Sequence, residues 1–208
     1  MFKIDHHLHT ARHSPDSQLD PDDLAASARQ AGLDGVVITE HDHQWESGEL
    51  AELNARAGGL LVLSGAEVSA IEGHFLVYGL PDLAEAPPGI TLAELLRVVR
   101  RHGAAIIAAH PFRWGQDFGS IVKAHGASFD AIELVSNNVT RETRALAERL
   151  LARNPMNVSG SSDAHQADVI GRYCSAFPGP IASMGDFVDA VRRGLGRPFA
   201  GPGATLTV

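Results

Sequence analysis

Short apolar runs alternate with helix-like segments along most of the chain. The apolar runs have the length and composition of strands, and they occupy residues 2–8, 35–39, 60–64, 74–78, 105–109, 131–135, 156–159 and 173–177. Apolar positions recur at helical spacing in four of the intervening segments, which are 20–31, 91–102, 140–153 and 184–193. Gly32 and Gly103 follow the first two of these segments, which is typical of a helix end.

This alternation predicts parallel strands that are linked by helices. The number of repeats favours a (β/α) barrel over an open sheet, and in such a barrel the loops after the strands build the active site. Residues 69–73 resemble a hairpin turn, which could fold His74 back over Glu67. We expect one domain over residues 1–208, a length that can bury a substantial core.

Histidines and carboxylates gather at or just after the ends of the apolar runs. The clusters are Asp5-His6-His7-Leu8-His9, Glu40-His41-Asp42, Glu67, His74, His110-Pro111 and Asp163-Ala164-His165. Imidazole and carboxylate together are ligands of Zn, Mn or Fe, whereas Ca prefers an all-oxygen environment. We therefore interpret the clusters as one hydrolytic site that holds several metal ions.

The first cluster shows why the spacing matters. Side chains alternate across a strand, so His7 and His9 share one face, where they lie roughly 6.5–7 Å apart along the strand and can hold one ion. An amphipathic strand with incidental histidines is the alternative interpretation, but four later clusters follow the same strand-end pattern. His6 lies on the opposite face, and we expect it to be packed or hydrogen-bonded.

The motifs in order resemble those of the PHP (polymerase and histidinol phosphatase) family. They are Asp5-x-His7-x-His9-Thr10, Ile38-Thr39-Glu40-His41-Asp42, Gly65-Ala66-Glu67, Ala109-His110-Pro111 and Ser162-Asp163-Ala164-His165. This resemblance implies a distorted, TIM-like (β/α) barrel of seven strands, with up to three metal ions at the C-terminal strand ends. It also implies a phosphoesterase, because the catalytic members of the family have that activity.

The resemblance implies nine metal ligands, which suit two to three divalent ions of Mn, Zn or Fe. The ligands are His7, His9, Asp16, His41, Glu67, His74, His110, Asp163 and His165. Glu67 is expected to bridge two ions. His13 is the alternative to Asp16 as the ligand from the loop after the first strand.

Three further carboxylates are candidates for supporting roles. By the resemblance, Asp5 and Glu40 accept ring N–H groups of the ligand histidines, although relatives usually carry Asp where Glu40 stands. Glu133 ends an apolar run, so it could support a ligand, contact the substrate or form a structural salt bridge.

The expected chemistry is attack by a metal-bound hydroxide, which acts beside Asp163 and His165 and needs no Ser or Cys nucleophile. Arg113 and Arg172 are candidates for binding phosphate, since a guanidinium matches phosphate oxygens. An ordinary surface salt bridge is the alternative for each arginine. Cys174 lies outside every cluster, and we expect it to be a small buried residue rather than a nucleophile.

The composition limits the classes of partner and the location that we expect. The hydrophobic fraction of 44% is ordinary for a globular protein, and the net charge of −8 argues against a polymeric nucleic acid as partner. No apolar run approaches the roughly 18 residues of a membrane span, and the chain starts without a signal-like leader, so we expect a cytoplasmic protein.

The favoured function is hydrolysis of a small phosphomonoester or nucleotide. The alternatives are hydrolysis of another bond, such as an amide, and a non-catalytic metal-binding module like the PHP domains attached to some polymerases. The sequence does not indicate the substrate, the native metal or the oligomeric state.

Overall fold

The computed structural model describes residues 1–125, 128–201 and 204. Ten strands lie in this part of the chain: β1 Phe2–Asp5, β2 Gly35–Ile38, β3 Leu61–Ser64, β4 Ala66–Ala70, β5 Gly73–Tyr78, β6 Ala105–Ala108, β7 Ala131–Val135, β8 Val158–Gly160, β9 Tyr173–Phe177 and β10 Arg197–Ala200. The α-helices of the same residues are α1 Pro21–Gln30, α2 Ser47–Arg56, α3 Leu92–His102, α4 Phe118–His125, α5 Arg141–Leu151 and α6 Met184–Arg192.

The strands form two mixed sheets of five strands each. Their orders are β10-β9-β1-β2-β3 and β4-β5-β6-β7-β8. Pairing is parallel from β1 to β3 and from β6 to β8, whereas β9 runs antiparallel to β1 and β10, and β5 runs antiparallel to β4 and β6.

The prediction of a seven-stranded (β/α) barrel is wrong. A barrel needs a continuous ladder of strand pairs, but among the described residues the only β-pairing between the two sheets is in isolated bridges, Leu8 with Ala164 and His41 with Glu67. The chain passes from the first sheet to the second at Gly65, where a Cβ would lie 2.6 Å from the carbonyl oxygen of Val77. Only glycine fits this crossing without a shift of its neighbours.

The predicted hairpin and the predicted helix ends are confirmed. Strands β4 and β5 pair antiparallel around residues 69–73. Asp20 caps α1 by accepting from the Asp22 amide, and Pro21 opens the helix. The α3 helix begins with a capping box at Thr91 and ends at Gly103, which has a φ of 64°.

Apolar side chains hold the two sheets against each other and against the helices. One buried cluster combines residues of both sheets with α6, among them Ile4, Val37, Leu76, Ile107 and Phe187. Two further clusters pack α1 and α2 against the first sheet and α3 and α4 against the second. This packing fixes the strand ends that carry the histidines. No described helix is long and apolar enough to cross a membrane.

Candidate metal centre

The nine predicted ligands lie together beside the bridges between the two sheets. We call these residues the histidine cluster: His7, His9, Asp16, His41, Glu67, His74, His110, Asp163 and His165. Backbone hydrogen bonds draw the first and last loops together, since the Asp163 amide donates to the His7 carbonyl at 2.7 Å. The His9 ring centroid consequently lies 4.1 Å from that of His41 and 4.4 Å from that of His165.

Glu67 is the centre of the cluster, and its side chain is 1% exposed. Its Oε1 lies 2.9 Å from Nδ1 of His74 and 3.1 Å from Nε2 of His110. Its Oε2 faces three more ring nitrogens, at 3.0 Å from His41 Nδ1, 3.3 Å from His9 Nε2 and 3.5 Å from His7 Nε2. A carboxylate whose two oxygens face different histidine sets has the geometry of a bridging ligand.

Asp163 faces the same two histidines, His7 and His9, as Glu67. Its Oδ1 lies 3.3 Å from Nε2 of both His7 and His9, and its Oδ2 accepts from Nδ2 of Asn138 at 2.5 Å. The φ of Asp163 is 54°, a left-handed conformation that is uncommon for residues other than glycine. The backbone is thus bent to aim this carboxylate inward.

The Nδ1 atoms of His7 and His9 already have partners outside the cluster. Nδ1 of His7 lies 3.0 Å from Oε1 of Glu133, and since an ionised carboxylate only accepts, Nδ1 carries the hydrogen. Nδ1 of His9 lies 3.4 Å from Oγ of Ser14, whose own hydrogen goes to Glu40 at 2.6 Å. In the neutral rings, Nε2 is therefore the unprotonated atom.

These two Nε2 atoms are buried and have no hydrogen-bond partner within the described residues. Each faces oxygens of Glu67 and Asp163 instead, at 3.3 to 3.5 Å. Lone pairs that face carboxylate oxygens repel each other unless a cation lies between them. The donor set of the cluster therefore fits a divalent metal ion with nitrogen and oxygen ligands.

The electrostatics of the cluster favour a positive charge among its carboxylates. Burial acts to lower the pKa of His7, but Asp163, Glu133 and Glu67 together raise it well above its usual value. Burial acts to raise the pKa of Glu67, yet His7 and a hydrogen bond from His110 hold it well below the usual range. A proton on His7 thus supplies a positive charge that a bound metal would supply instead.

Three groups of side chains bring ligand atoms within 4.8 Å of one another. They are His9, His41 and His165; His7, Glu67 and His110; and His7, His9 and Asp163. Each group could hold one ion. Because one imidazole nitrogen binds one ion, groups that share His7 or His9 are alternatives for that ring, and the ions that the cluster could hold together would be neighbours, as in two-metal hydrolytic sites.

The loop after β1 contributes Asp16 to the cluster rather than His13. Oδ2 of Asp16 lies 3.1 Å from Nε2 of His41 and 3.2 Å from Nε2 of His165. His13 instead places its Nε2 3.2 Å from Glu49. The geometry therefore favours Asp16 as the ligand from this loop.

Asp5 and Glu40 are buried, but within the described residues neither accepts directly from a histidine ring nitrogen. Asp5 accepts from the Ser162 and Gly171 amides, both at 2.9 Å, and burial raises its pKa to about 6. Glu40 accepts from Ser14 and so reaches His9 only through that hydroxyl. These carboxylates hold the loops of the site, whereas the expected direct contact with a ligand histidine is absent from the described residues.

Glu133 makes the ring contact that was expected of the other two carboxylates. Besides Nδ1 of His7, it accepts from the Ser161 hydroxyl and, through Oε2, from the His110 amide at 2.9 Å. It therefore connects the loops after β1, β6 and β8. The sequence left its role open because an acidic residue at the end of a strand has several ordinary uses.

The two candidate phosphate-binding arginines differ in position. Nη1 of Arg113 lies 3.6 Å from Oδ2 of Asp163, so its guanidinium reaches the edge of the cluster. Arg172 donates to Oδ1 of Asn137 at 3.3 Å and contacts no cluster residue within the described part of the chain. Only Arg113 is positioned to contact a group bound at the cluster.

Sequence reasoning missed three residues beside the cluster: Ser14, Asn138 and Trp114. Ser14 and Asn138 are ordinary loop residues whose contacts depend on the fold. Trp114 is 74% exposed, and its ring lies 5.4 Å from that of His74 and 5.8 Å from that of His110. The pattern of residues around Trp114, two positions beyond Phe112, did not predict a role at the cluster. The available signal was that this tryptophan is close in sequence to His110-Pro111.

His6 is hydrogen-bonded to Tyr78 and Ser175, as predicted.

Comparison with known proteins supplies two family matches and one sequence relative. A family model described as PHP domain matches residues 5–157, and one described as PHP-associated matches residues 141–195. An uncharacterized protein from Methanocaldococcus jannaschii is 28% identical over 120 residues, which are 53% of this chain and 68% of the relative.

Two solved structures share the fold at low identity. A two-domain protein from Bacteroides vulgatus, containing a predicted PHP-like metal-dependent phosphoesterase, superposes with a TM-score of 0.73 at 19% identity over 96% of this chain. The lesion-specific endonuclease of Pyrococcus furiosus gives a TM-score of 0.68 at 18% identity, also over 96%. This chain spans 65% and 57% of the lengths of those two proteins.

Proposed function

The chain belongs to the PHP family, whose domain model matches residues 5–157, and from this premise we propose that it is a metal-dependent phosphoesterase. The substrate that we propose is a small phosphomonoester or nucleotide. One observation carries the proposal: the unpartnered Nε2 atoms of His7 and His9 face Glu67 and Asp163, and the guanidinium of Arg113 lies at the edge of this group.

The histidine cluster would hold two to three divalent ions of Mn, Zn or Fe. Glu67 would bridge ions through its two oxygens, and Asp163 would join His7 and His9 at one of them. Such ions, when bound, lower the pKa of a coordinated water and neutralise the charge of phosphate oxygens.

The protein's own side chains bind and orient. Arg113 offers a planar fork to the phosphate oxygens, and its charge is already directed at the cluster through Asp163. Asn138 holds Oδ2 of Asp163, which leaves Oδ1 directed at His7 and His9. Glu133 fixes the Nδ1–H tautomer of His7, so that ring need not reorganise when a ligand binds.

The net charge favours a small phosphate ester over a polymeric nucleic acid as the substrate. The net charge of −8 repels a long polyanion, since sequence-independent binding of nucleic acid requires several Lys or Arg contacts to phosphates. A phosphate monoester needs only the metal ions and one guanidinium. The structural likeness to an endonuclease makes single-stranded DNA a necessary comparison in any test.

The experiment couples metal analysis to a hydrolysis screen. The protein is replenished with Mn or Zn, desalted, and assayed for metal content and for phosphate release from sugar phosphates, nucleotides, an aryl phosphate and single-stranded DNA. A panel of amides serves as the parallel arm. We expect two to three ions per chain, hydrolysis of at least one small monoester, and complete loss of that activity with a chelator.

The outcomes separate the proposed activity from its alternatives. Metal content at background after replenishment would refute the metal centre. Full metal content with amide hydrolysis alone would identify a hydrolase of another bond, and full metal content without any turnover would identify a binding module.

A further inference from the structure

An exposed tryptophan stands at the mouth of the histidine cluster. Trp114 is 74% exposed, whereas the other tryptophan of the chain, Trp45, is 6% exposed and donates to Glu40. A large apolar surface in water is unfavourable, and most of this aromatic residue lies in water. Packing therefore does not explain the position of Trp114.

The backbone that carries Trp114 is strained. Phe112 has a φ of 68° and Trp114 a φ of 55°, and bulky residues rarely adopt this left-handed conformation. Such a conformation is energetically costly and persists only where its surroundings impose it. Such outliers gather at functional sites, and the remaining non-glycine examples in the described residues, Asp42, His110 and Asp163, also lie in or next to the cluster.

Gln116 connects this loop to the neighbouring hairpin. Its Oε1 accepts from the Phe112 amide at 3.2 Å, and its Nε2 donates to the Glu72 carbonyl in the β4–β5 turn at 2.7 Å. A Cβ at residue 73 would collide with this amide, so Gly73 makes room for the contact. The loop that carries the indole is therefore tied to the hairpin that also supplies His74.

The indole lies one imidazole ring away from the carboxylate at the centre of the cluster. Its centroid is 5.4 Å from that of His74 and 5.8 Å from that of His110, and both of these rings contact Oε1 of Glu67. The Arg113 guanidinium covers one face of the indole, at 4.1 Å from its centroid. Since Trp114 is still 74% exposed, the other face is open to a ligand.

We propose that Trp114 is a specificity-determining platform on which the nucleobase of a nucleoside 5′-monophosphate stacks. With the phosphate at the cluster and Arg113, the sugar spans the width of the His74 and His110 rings and the base reaches the open indole face. This inference rests on the proposed phosphoesterase function and names its substrate class. An aryl phosphate shares the flat aromatic group, but its ring is attached directly to the phosphate and would end over the histidines.

Binding of paired analogues tests the platform independently of turnover. The hydrolysis-resistant phosphonate analogues of adenosine monophosphate and ribose 5-phosphate differ only in the base, and benzyl phosphonate represents the aryl group. Their dissociation constants are measured by calorimetry with the Mn-replenished protein and with the Trp114→Ala and Trp114→Phe variants. Leu146→Ala, which truncates an exposed side chain on α5, is the matched control. Circular dichroism and metal content verify that every variant is folded and loaded.

We expect the wild type to bind the adenosine analogue more tightly than the ribose analogue by roughly 5- to 150-fold, the range of base–aromatic stacking. Trp114→Ala should abolish that preference and change the affinity for the ribose analogue less than twofold. Trp114→Phe should keep most of the preference, and Leu146→Ala all of it.

Three results would overturn the platform: equal affinity of the wild type for the adenosine and ribose analogues, equal loss of both in Trp114→Ala, or a base preference unaffected by Trp114→Ala. A Trp114-dependent preference for benzyl phosphonate that exceeds the one for adenosine would replace the nucleobase by an aryl group and so refute the stated class. Hydrolysis of monoesters without a base preference would leave the proposed function intact and remove the platform. A Trp114-dependent base preference without any hydrolysis would support the platform and refute the proposed phosphoesterase function.

Discussion

Nδ1 of His7 lies 3.0 Å from Oε1 of Glu133, and both side chains are completely buried. Burial acts to raise the pKa of Glu133, but His7 keeps it below its usual value, so the carboxylate is ionised. The same residue accepts from the His110 amide and the Ser161 hydroxyl. Glu133 thus fixes a candidate ligand and the loops around it without reaching the proposed metal positions.

Replacement of this carboxylate should weaken metal binding. In Glu133→Gln the amide presents a donor to one of the groups that now donate, so either the His7 ring or the His110 amide loses its acceptor. We expect a 10- to 100-fold lower affinity for Mn or Zn, as is typical of groups that orient a ligand histidine. Competition with a chromogenic chelator measures this affinity.

The control for this prediction is Glu148→Gln on α5. Glu148 is half exposed and pairs with Arg144 on the same helix, so the affinity of the Glu148→Gln variant for metal should match that of the wild type. Equal affinities of Glu133→Gln and the wild type would show that Glu133 is a structural residue only.

Most of the cluster could be placed from the sequence because its members follow the C-terminal ends of strands, whereas Glu67 lies within β4 and His74 at the start of β5. Adjacent parallel strands such as β1 and β2 bring their carboxyl ends to one edge, and this rule placed His9 and His41 together. Asn138 could not be found in this way. Its contact with Asp163 depends on how the β7–α5 loop crosses the end of β8, which no local pattern specifies.

The fold was predicted less completely than the site. Strands 131–135 and 173–177 were placed correctly, but a strand pattern is the same in both directions, so the antiparallel β9 could not be recognised. The α2 helix was missed because it has one buried residue, Leu53, and no side-chain cap at Glu46. The β10 strand was also missed, since it contains Pro198 and has no fully buried side chain, which is typical of a strand at the edge of a sheet.

Removal of a cluster ligand should abolish turnover and leave the fold intact. His9→Ala deletes a nitrogen that faces both Glu67 and Asp163, and Asp163→Asn removes a negative charge from the same point. We expect kcat for the best small monoester to fall by at least 10³-fold in each variant, on the order of the contribution of a metal centre. Steady-state kinetics on freshly replenished protein measure this.

Two substitutions away from the cluster serve as controls for the ligand variants. His125→Ala at the end of α4 and Asp189→Asn, which pairs with Arg193 on α6, alter the same residue types away from the cluster. Both should retain kcat within about threefold, because surface substitutions away from special features have small effects. Parallel losses in all four variants would mean that the cluster is not the active site.

The pH dependence of stability should contain a contribution from Cys174. Burial raises the pKa of this thiol from 9.0 to about 12, so between these values the unfolded chain loses the proton and the folded protein keeps it. Stability due to Cys174 is therefore present below pH 9 and lost as the pH rises, by about 1.4 kcal/mol at pH 10. Cys174→Ala lacks this contribution, so its free energy of unfolding should fall less between pH 8 and 10.

Urea unfolding at several pH values measures the difference between the wild type and Cys174→Ala. A thiol reagent provides a second readout at pH 8, where Cys174 should react only after denaturation because it is 1% exposed. Rapid labelling of the native protein, or identical pH profiles of the two proteins, would contradict a buried and neutral thiol.

Loss of Arg113 should weaken substrate binding more than it slows the chemical step. Nη1 of Arg113 lies 3.6 Å from Oδ2 of Asp163, so the guanidinium can hold a phosphate oxygen of the substrate before and during hydrolysis. Removal of such uniform binding raises KM and leaves kcat nearly unchanged. In Arg113→Ala we expect KM for a small monoester to rise about 10-fold or more, with kcat reduced less than threefold, whereas Arg149→Ala on α5 should leave both constants unchanged. A lower kcat at constant KM would show that Arg113 stabilises the transition state instead.

The same assays should give a higher kcat/KM for small monoesters than for long single-stranded DNA, because the chain carries a net charge of −8. Faster degradation of DNA than of every monoester would identify a nuclease.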